Sequence, residues 1–174
     1  EMCIRDRCDI IEDTVNELSD LKIKPLTIGG EHSLTVGVLN SLTEKYDDLT
    51  VVHLDAHRDL ADTFIGEKYS HASVMKRVHE MGIKELIQIG IRSASKEEED
   101  FVENHSNIMT FKSNEVFSHL DNIEYYLSAV DTPIYLSIDM DVFDPSVAPT
   151  VGNPTPGGIL YDHIAVSYTH LRAH

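Results

Sequence analysis

What most constrains the fold of this chain is a pattern that occurs three times. A short, almost wholly apolar run ends abruptly in a cluster of carboxylate and imidazole side chains. Lys24–Ile28 (KPLTI) runs into Gly29-Gly30-Glu31-His32-Ser33, and Thr50–Leu54 (TVVHL) into Asp55-Ala56-His57-Arg58-Asp59. Ile134–Ile138 (IYLSI) runs into Asp139-Met140-Asp141-Val142-Phe143-Asp144-Pro145. With Leu86–Ile91 and Ile108–Phe111, these β-branched runs are predicted strands. Helices are predicted between them over residues 33–46, 72–81, 97–104 and 116–130. Strands apolar on both faces and alternating with helices predict a three-layer α/β/α domain with a mainly parallel sheet. Ligands of such sheets gather beyond the carboxyl ends of the strands, so the three polar clusters are expected to converge on one crevice.

Spacing and charge say what that crevice would hold. In extended backbone, side chains at i, i+2 and i+4 share a face, which groups Asp55 with His57 and Asp59, and Asp139 with Asp141. Ala56, Arg58 and Met140 would face elsewhere. Crowded carboxylates are costly unless cations compensate them. Two divalent ions would balance the four charges of Asp55, Asp59, Asp139 and Asp141, with His32 and His57 as neutral donors. Oxygen-rich, partly imidazole and without thiolate, this donor set favours manganese over zinc. Magnesium keeps more water and takes fewer protein ligands.

Composition narrows the partners. A formal net charge of −16 argues against nucleic acid and suits a metal ion or a small cationic substrate. No apolar run is long enough to span a bilayer and no basic-then-apolar segment opens the chain, so no membrane partner and a cytoplasmic location are expected. Cys3 and Cys8 form no disulfide framework. Residues 1–7 (EMCIRDR) and 166–174 (VSYTHLRAH) lack period and caps and read as end sequence foreign to the protein, which leaves residues 8–165 as the expected domain.

In this order, GGEHS, DAHRD and SIDMDVFDP resemble the three signature motifs of the ureohydrolase (arginase/agmatinase) family. The resemblance implies one metal held by His32, Asp55, Asp59 and Asp139, and a second held by His57, Asp55, Asp139 and Asp141. The implied cofactor is two Mn2+ ions per subunit, activating a shared water for attack on a guanidinium carbon. Asp59 would also orient the attacking water, and His71, within Lys68-Tyr69-Ser70-His71-Ala72-Ser73, would shuttle a proton or contact substrate. No asparagine follows Asp59 in Leu60–Gly66, and Glu31 stands where arginases tend to have aspartate. Both resemble the agmatinase branch, implying hydrolysis of agmatine to putrescine and urea. Arginine, guanidinobutyrate and formiminoglutamate are the sibling alternatives. A homo-oligomer is also implied.

Two departures qualify this. In Ala148–Gly158 the centre reads Val-Gly-Asn where Gly-Thr-Gly is usual. The family's opening strand and a later acidic residue that grips guanidinium are not found between the two ends, so this stretch alone is expected to be inactive or unstable. Several residues have plainer explanations. His53 is expected to be a core histidine and Asp144 a turn residue. Gly29 and Gly30 are expected to make a tight turn, and Glu97–Asp100 the acidic first turn of a helix begun by Ser95.

Overall fold

The computed structural model describes residues 4–161, in two units. The first comprises Glu1–Leu49 with Asp59–Lys84, the second Thr50–Arg58 with Glu85–His174. Of the terminal strings singled out above, residues 1–3 and 166–174 lie outside the described part, whereas residues 4–7 lie within the first helix.

The second unit holds the sheet. Its strands are β1 (Thr50–Leu54), β2 (Glu85–Ile91), β3 (Ile108–Lys112) and β4 (Ile134–Ile138), in the spatial order β3-β2-β1-β4. Every pairing is parallel, as expected from the near-continuous apolar runs. All five residues of β1 are buried, which places it as a central strand. Val52 and Leu54 of β1 and Ile87 and Ile89 of β2 form one core with Val116, Ile123 and Leu127. The last three lie on two helices, Ser113–Ser118 and Leu120–Ser128. One helix was predicted over 116–130. His119, at φ −138° and ψ 36°, breaks it in two. Each buried aliphatic side chain here contributes about 1.5–3 kcal/mol.

Helix Lys96–Glu103 begins as predicted. Ser95 accepts a hydrogen bond from the Glu98 N–H, and the Glu98 carboxylate accepts one from the Ser95 N–H, a reciprocal capping box.

The first unit is helical. Its helices are α1 (Ile4–Asp20), α2 (Leu34–Thr43) and α3 (Val74–Glu80), the last preceded by a 3-10 turn, His71–Ser73. No helix is predicted from the sequence where α1 lies. It packs on α2 closely enough that a Cβ at Gly37 would lie 2.5 Å from the Cys8 carbonyl oxygen. Asn40 and Ser41 of α2 donate to Glu12 and Asn16 of α1.

The predicted strand Lys24–Ile28 is not a strand in the structure. It belongs to no sheet, and Leu26 and Ile28 are 85% and 88% exposed. Apolar β-branched sequence makes a strand only where a neighbouring strand accepts its ladder hydrogen bonds, and none of the described strands pairs with this segment.

Candidate metal centre

The order of the strands decides where the second unit's site lies. From β1 the chain winds outward through β2 to β3, then returns to the other side of β1 as β4. The direction of winding therefore reverses between β1 and β4, and a parallel sheet opens a crevice at such a reversal, beyond the carboxyl ends of its strands. Two of the polar clusters follow these very strands: Asp55 to His57 follow β1, and Asp139 to Asp141 follow β4.

Backbone hydrogen bonds fix both segments. The Asp139 N–H donates to the Leu54 carbonyl at 2.9 Å, the Asp55 N–H to the Ile89 carbonyl at 3.1 Å, and the Ala56 N–H to Oδ1 of Asp141 at 3.1 Å. Oδ1 of Asp139 accepts from the Asp141 N–H at 3.0 Å, turning the chain into the short 3-10 turn Met140–Val142. Gly90 makes the close approach possible. It sits at φ +96°, where β2 and β3 slip register, and a Cβ there would fall 2.7 Å from Val142 and 3.2 Å from the Asp55 carbonyl.

The side chains meet accordingly. Nδ1 of His57 is 3.0 Å from Oδ2 of Asp141 and 3.5 Å from Oδ1 of Asp55. Donor atoms of Asp55, His57 and Asp141 all lie within 4.8 Å of one another. Asp55 and Asp141 are buried, and hydrogen bonding first to Asp141 and then to Asp55 pushes the His57 pKa up to about 10. The two carboxylates thus draw a proton onto the imidazole between them, so positive charge is wanted at that point. A divalent ion on the same donors fits this demand, and it would displace the proton. On its far nitrogen, Nε2, His57 faces the Asn153 amide at 3.0 Å and Thr155 at 3.4 Å. Asn153 closes the Val151-Gly152-Asn153 stretch that departs from the usual loop sequence.

Two residues that sequence reasoning left aside shape this centre. Arg92, immediately after β2, belongs to none of the three motifs. Its guanidinium donates to the carbonyls of Asp141 (2.6 Å), Val142 (3.2 Å), Phe143 (3.3 Å), Gly90 (3.2 Å) and Thr155 (2.8 Å), tying the turn after β4 to the 150–158 loop. Asp144, a turn residue as expected, accepts from Ser146 and from the Gly157 and Gly158 N–H groups, and its pKa falls to about 2 through the Ser146 bonds first. Neither signal is visible in one sequence, because both depend on segments far apart in the chain.

The first unit carries the remaining predicted residues. Nδ1 of His32 is 2.9 Å from Oδ2 of Asp59, with both side chains 8% exposed. Asp59 lies at φ +53°, so it does not continue the strand alternation assumed from its spacing to Asp55 and His57. Its carbonyl instead accepts from the Met75 and Lys76 N–H groups at the start of α3. Glu31 accepts from the Ser33 hydroxyl and N–H. His71 is 60% exposed, its Nδ1 is 3.8 Å from Glu31, and Phe64 meets its ring edge-on. Neither Gly29 nor Gly30 has the positive φ of a glycine-demanding turn, and a Cβ at Gly29 would meet only the movable end of the Leu34 side chain.

Comparison with known proteins places these features in a lineage. Residues 2–173 match the arginase family. The chain belongs to that family. An uncharacterised 32.2 kDa protein of Methanothermus fervidus is 41% identical over 160 residues, 92% of this chain and 55% of that protein. The N(1)-aminopropylagmatine ureohydrolase of Thermococcus kodakarensis is 38% identical over 160 residues, 90% of this chain and 52% of that enzyme. Among solved structures, the agmatine ureohydrolase of Thermoplasma volcanium superposes with a TM-score of 0.84 at 32% identity, covering 98% of this chain and 58% of that one. The fold is thus the arginase-like α/β fold, and the chain spans about half the length of the curated relatives it matches.

Proposed function

We propose that the complete protein is a two-manganese ureohydrolase that converts agmatine to putrescine and urea. The observation that carries this reading is the buried Asp55–His57–Asp141 cluster beyond β1 and β4, where the winding of the sheet reverses. By the family resemblance, Asp55, His57, Asp139 and Asp141 hold the ions together with His32 and Asp59. When bound, the cation pair supplies Lewis-acid activation of a water at neutral pH. Asp59 orients that water. His71, open to solvent and near the Glu31 carboxylate, hands a proton to the departing amine. A cytoplasmic homo-oligomer belongs to the same proposal. Among the described residues no helix is long and apolar enough to cross a membrane.

Agmatine is preferred because it is cationic at both ends and lacks a carboxylate. The chain carries a strong negative charge, and Leu60–Gly66 supplies no asparagine with which to grip an amino-acid head group. The test is urea release by the complete protein, loaded with manganese, from agmatine, N1-aminopropylagmatine, arginine and guanidinobutyrate, with formamide release from formiminoglutamate beside them. Agmatine is expected to give the highest kcat/KM. A higher value for any other compound reassigns the substrate, and bound manganese with no turnover on any of them would leave a metal-binding protein only.

A further inference from the structure

Apart from the centre itself, the most unusual feature of the second unit is a row of polar side chains crossing its otherwise apolar sheet. Register pairs His53 of β1 with Gln88 of β2 and Ser137 of β4, and Gln88 with Thr110 of β3. Laterally paired residues of a parallel sheet point to one face. This face is the opposite of that presented by Val52, Leu54, Ile87 and Ile89. His53 and Gln88 are completely buried. Arg58, 2% exposed, lies at one end of the row. Its Nη1 donates to Oε1 of Gln88 and to Thr110, each at 2.9 Å, and its Nη2 donates to Glu99 at 2.9 Å. Buried polar groups at this density are costly unless each is satisfied in one arrangement, so a row like this specifies where its protons sit.

That arrangement follows from donors and acceptors alone. A guanidinium only donates, so the Gln88 atom 2.9 Å from Arg58 is the amide oxygen. A carbonyl only accepts, so the Gln88 atom 2.8 Å from the Arg58 carbonyl is the amide nitrogen, Nε2. The same nitrogen lies 3.2 Å from Nδ1 of His53 and presents its second hydrogen there. Nδ1 must accept, and the imidazole proton therefore resides on Nε2. Nε2 is 2.8 Å from Oδ2 of Asp55 and donates to it.

Resting on the metal reading above, we propose that Arg58 and Gln88 are positioning residues: together they fix the His53 proton on Nε2, so that His53 holds the Asp55 carboxylate ready for a cation. A neutral donor aims the carboxylate without adding positive charge beside the ion. Outer groups of this kind are worth roughly 10–100-fold in metal affinity. The arginine of DAHRD thus acts through its side chain on the residue three positions before it, by way of a neighbouring strand.

The experiment uses the complete protein with nitrogen-15-labelled histidine. Long-range proton–nitrogen correlation reads the His53 tautomer, assigned by the loss of its signals in His53→Asn, and calorimetric titration with Mn2+ reads affinity. The unaltered protein is expected to show the Nε2–H tautomer. Gln88→Glu, which places an acceptor opposite Nδ1, is expected to draw a proton there and weaken manganese binding about 10–100-fold. Gln88→Met keeps the volume and removes the constraint, so it is expected to give mixed tautomers and an intermediate affinity. Arg58→Lys, which keeps one donor toward Oε1, is expected to restore most of what Arg58→Met loses. A His53 proton on Nδ1 in the unaltered protein overturns the proposal with the metal reading intact, as does unchanged affinity in a folded Gln88→Glu protein. Absence of manganese uptake by the unaltered protein removes the metal reading, and with it the purpose given to the row.

Discussion

Asp141 performs two tasks with two oxygens. Oδ1 holds the Ala56 N–H and Oδ2 faces His57. Asp141→Asn keeps an acceptor for the backbone and removes the charge, so it separates architecture from ion binding. It is expected to leave thermal unfolding within about 1 kcal/mol of the parent and to cut manganese affinity by more than about 100-fold, beyond the range of an outer-sphere change. Manganese content after dialysis, beside a melting curve, checks both halves. Gly90 is the opposite case, structural and without chemistry of its own. Gly90→Ala combines a left-handed φ with a contact at 2.7 Å, and is expected to destabilise by about 1–3 kcal/mol in denaturant titrations and to weaken metal binding through Asp55. His57 and Asp141 were legible as candidate ligands because two acidic-imidazole motifs leave few other uses for buried carboxylates. Arg58 was expected merely to face away from the donors. Its role depends on Gln88, thirty positions on, which nothing in DAHRD foretells.

At the scale of elements, the loop after β4 is held by two devices of opposite charge. Arg92 gathers carbonyls from Gly90, the 141–143 turn and Thr155. A fork of donors in one plane does this, and an ammonium group does not. Arg92→Lys is therefore expected to lose nearly as much manganese affinity as Arg92→Met, about 10-fold or more, which a paired metal titration would reveal. Asp144 clamps Gly157 and Gly158 from the other side, and its carboxyl is held near 2, below the ordinary 3.8. A carboxylate with a depressed pKa contributes stability that is present above its unfolded value and is lost as pH falls through the folded one. The Gly157 and Gly158 amides are thus expected to lose hydrogen-exchange protection between about pH 4 and pH 2, and to be unprotected at neutral pH in Asp144→Ala. Of the predicted elements, β1 and β4 matched to the residue, and the helix begun by Ser95 carried its capping box. The 116–130 helix split at His119, and α1, whose first residues read as foreign end sequence, was not foreseen although its buried Cys8 and Val15 lie two helical turns apart.

Across the whole molecule, the segment that departs furthest from expectation is Lys24–Ile28. Its composition is that of a strand, yet Leu26 and Ile28 face solvent and no described strand lies beside it. Its amides are expected to exchange orders of magnitude faster than those of β1, where every residue is buried and paired on both sides. Mass-spectrometric exchange on this chain checks that directly. Protection of 24–28 equal to that of β1 would show that the segment has found a partner.

The sequence alone determined the parallel α/β class, the family and the identity of the candidate ligands. Each is written locally: strand period, apolar run, and carboxylates and imidazoles at two-residue spacing. Tertiary structure alone decided that β1 and β4 are neighbours, which brings Asp55 and Asp141 to one imidazole. It also decided that Arg92 and Asp144 lock the loop, that a polar row backs Asp55, and that a strand-like sequence at 24–28 stays unpaired. Local preference acts through a residue's own backbone and nearest neighbours. Strand order, partner choice and the burial of charge are free energies of contacts between distant segments, and they exist only once those segments have met.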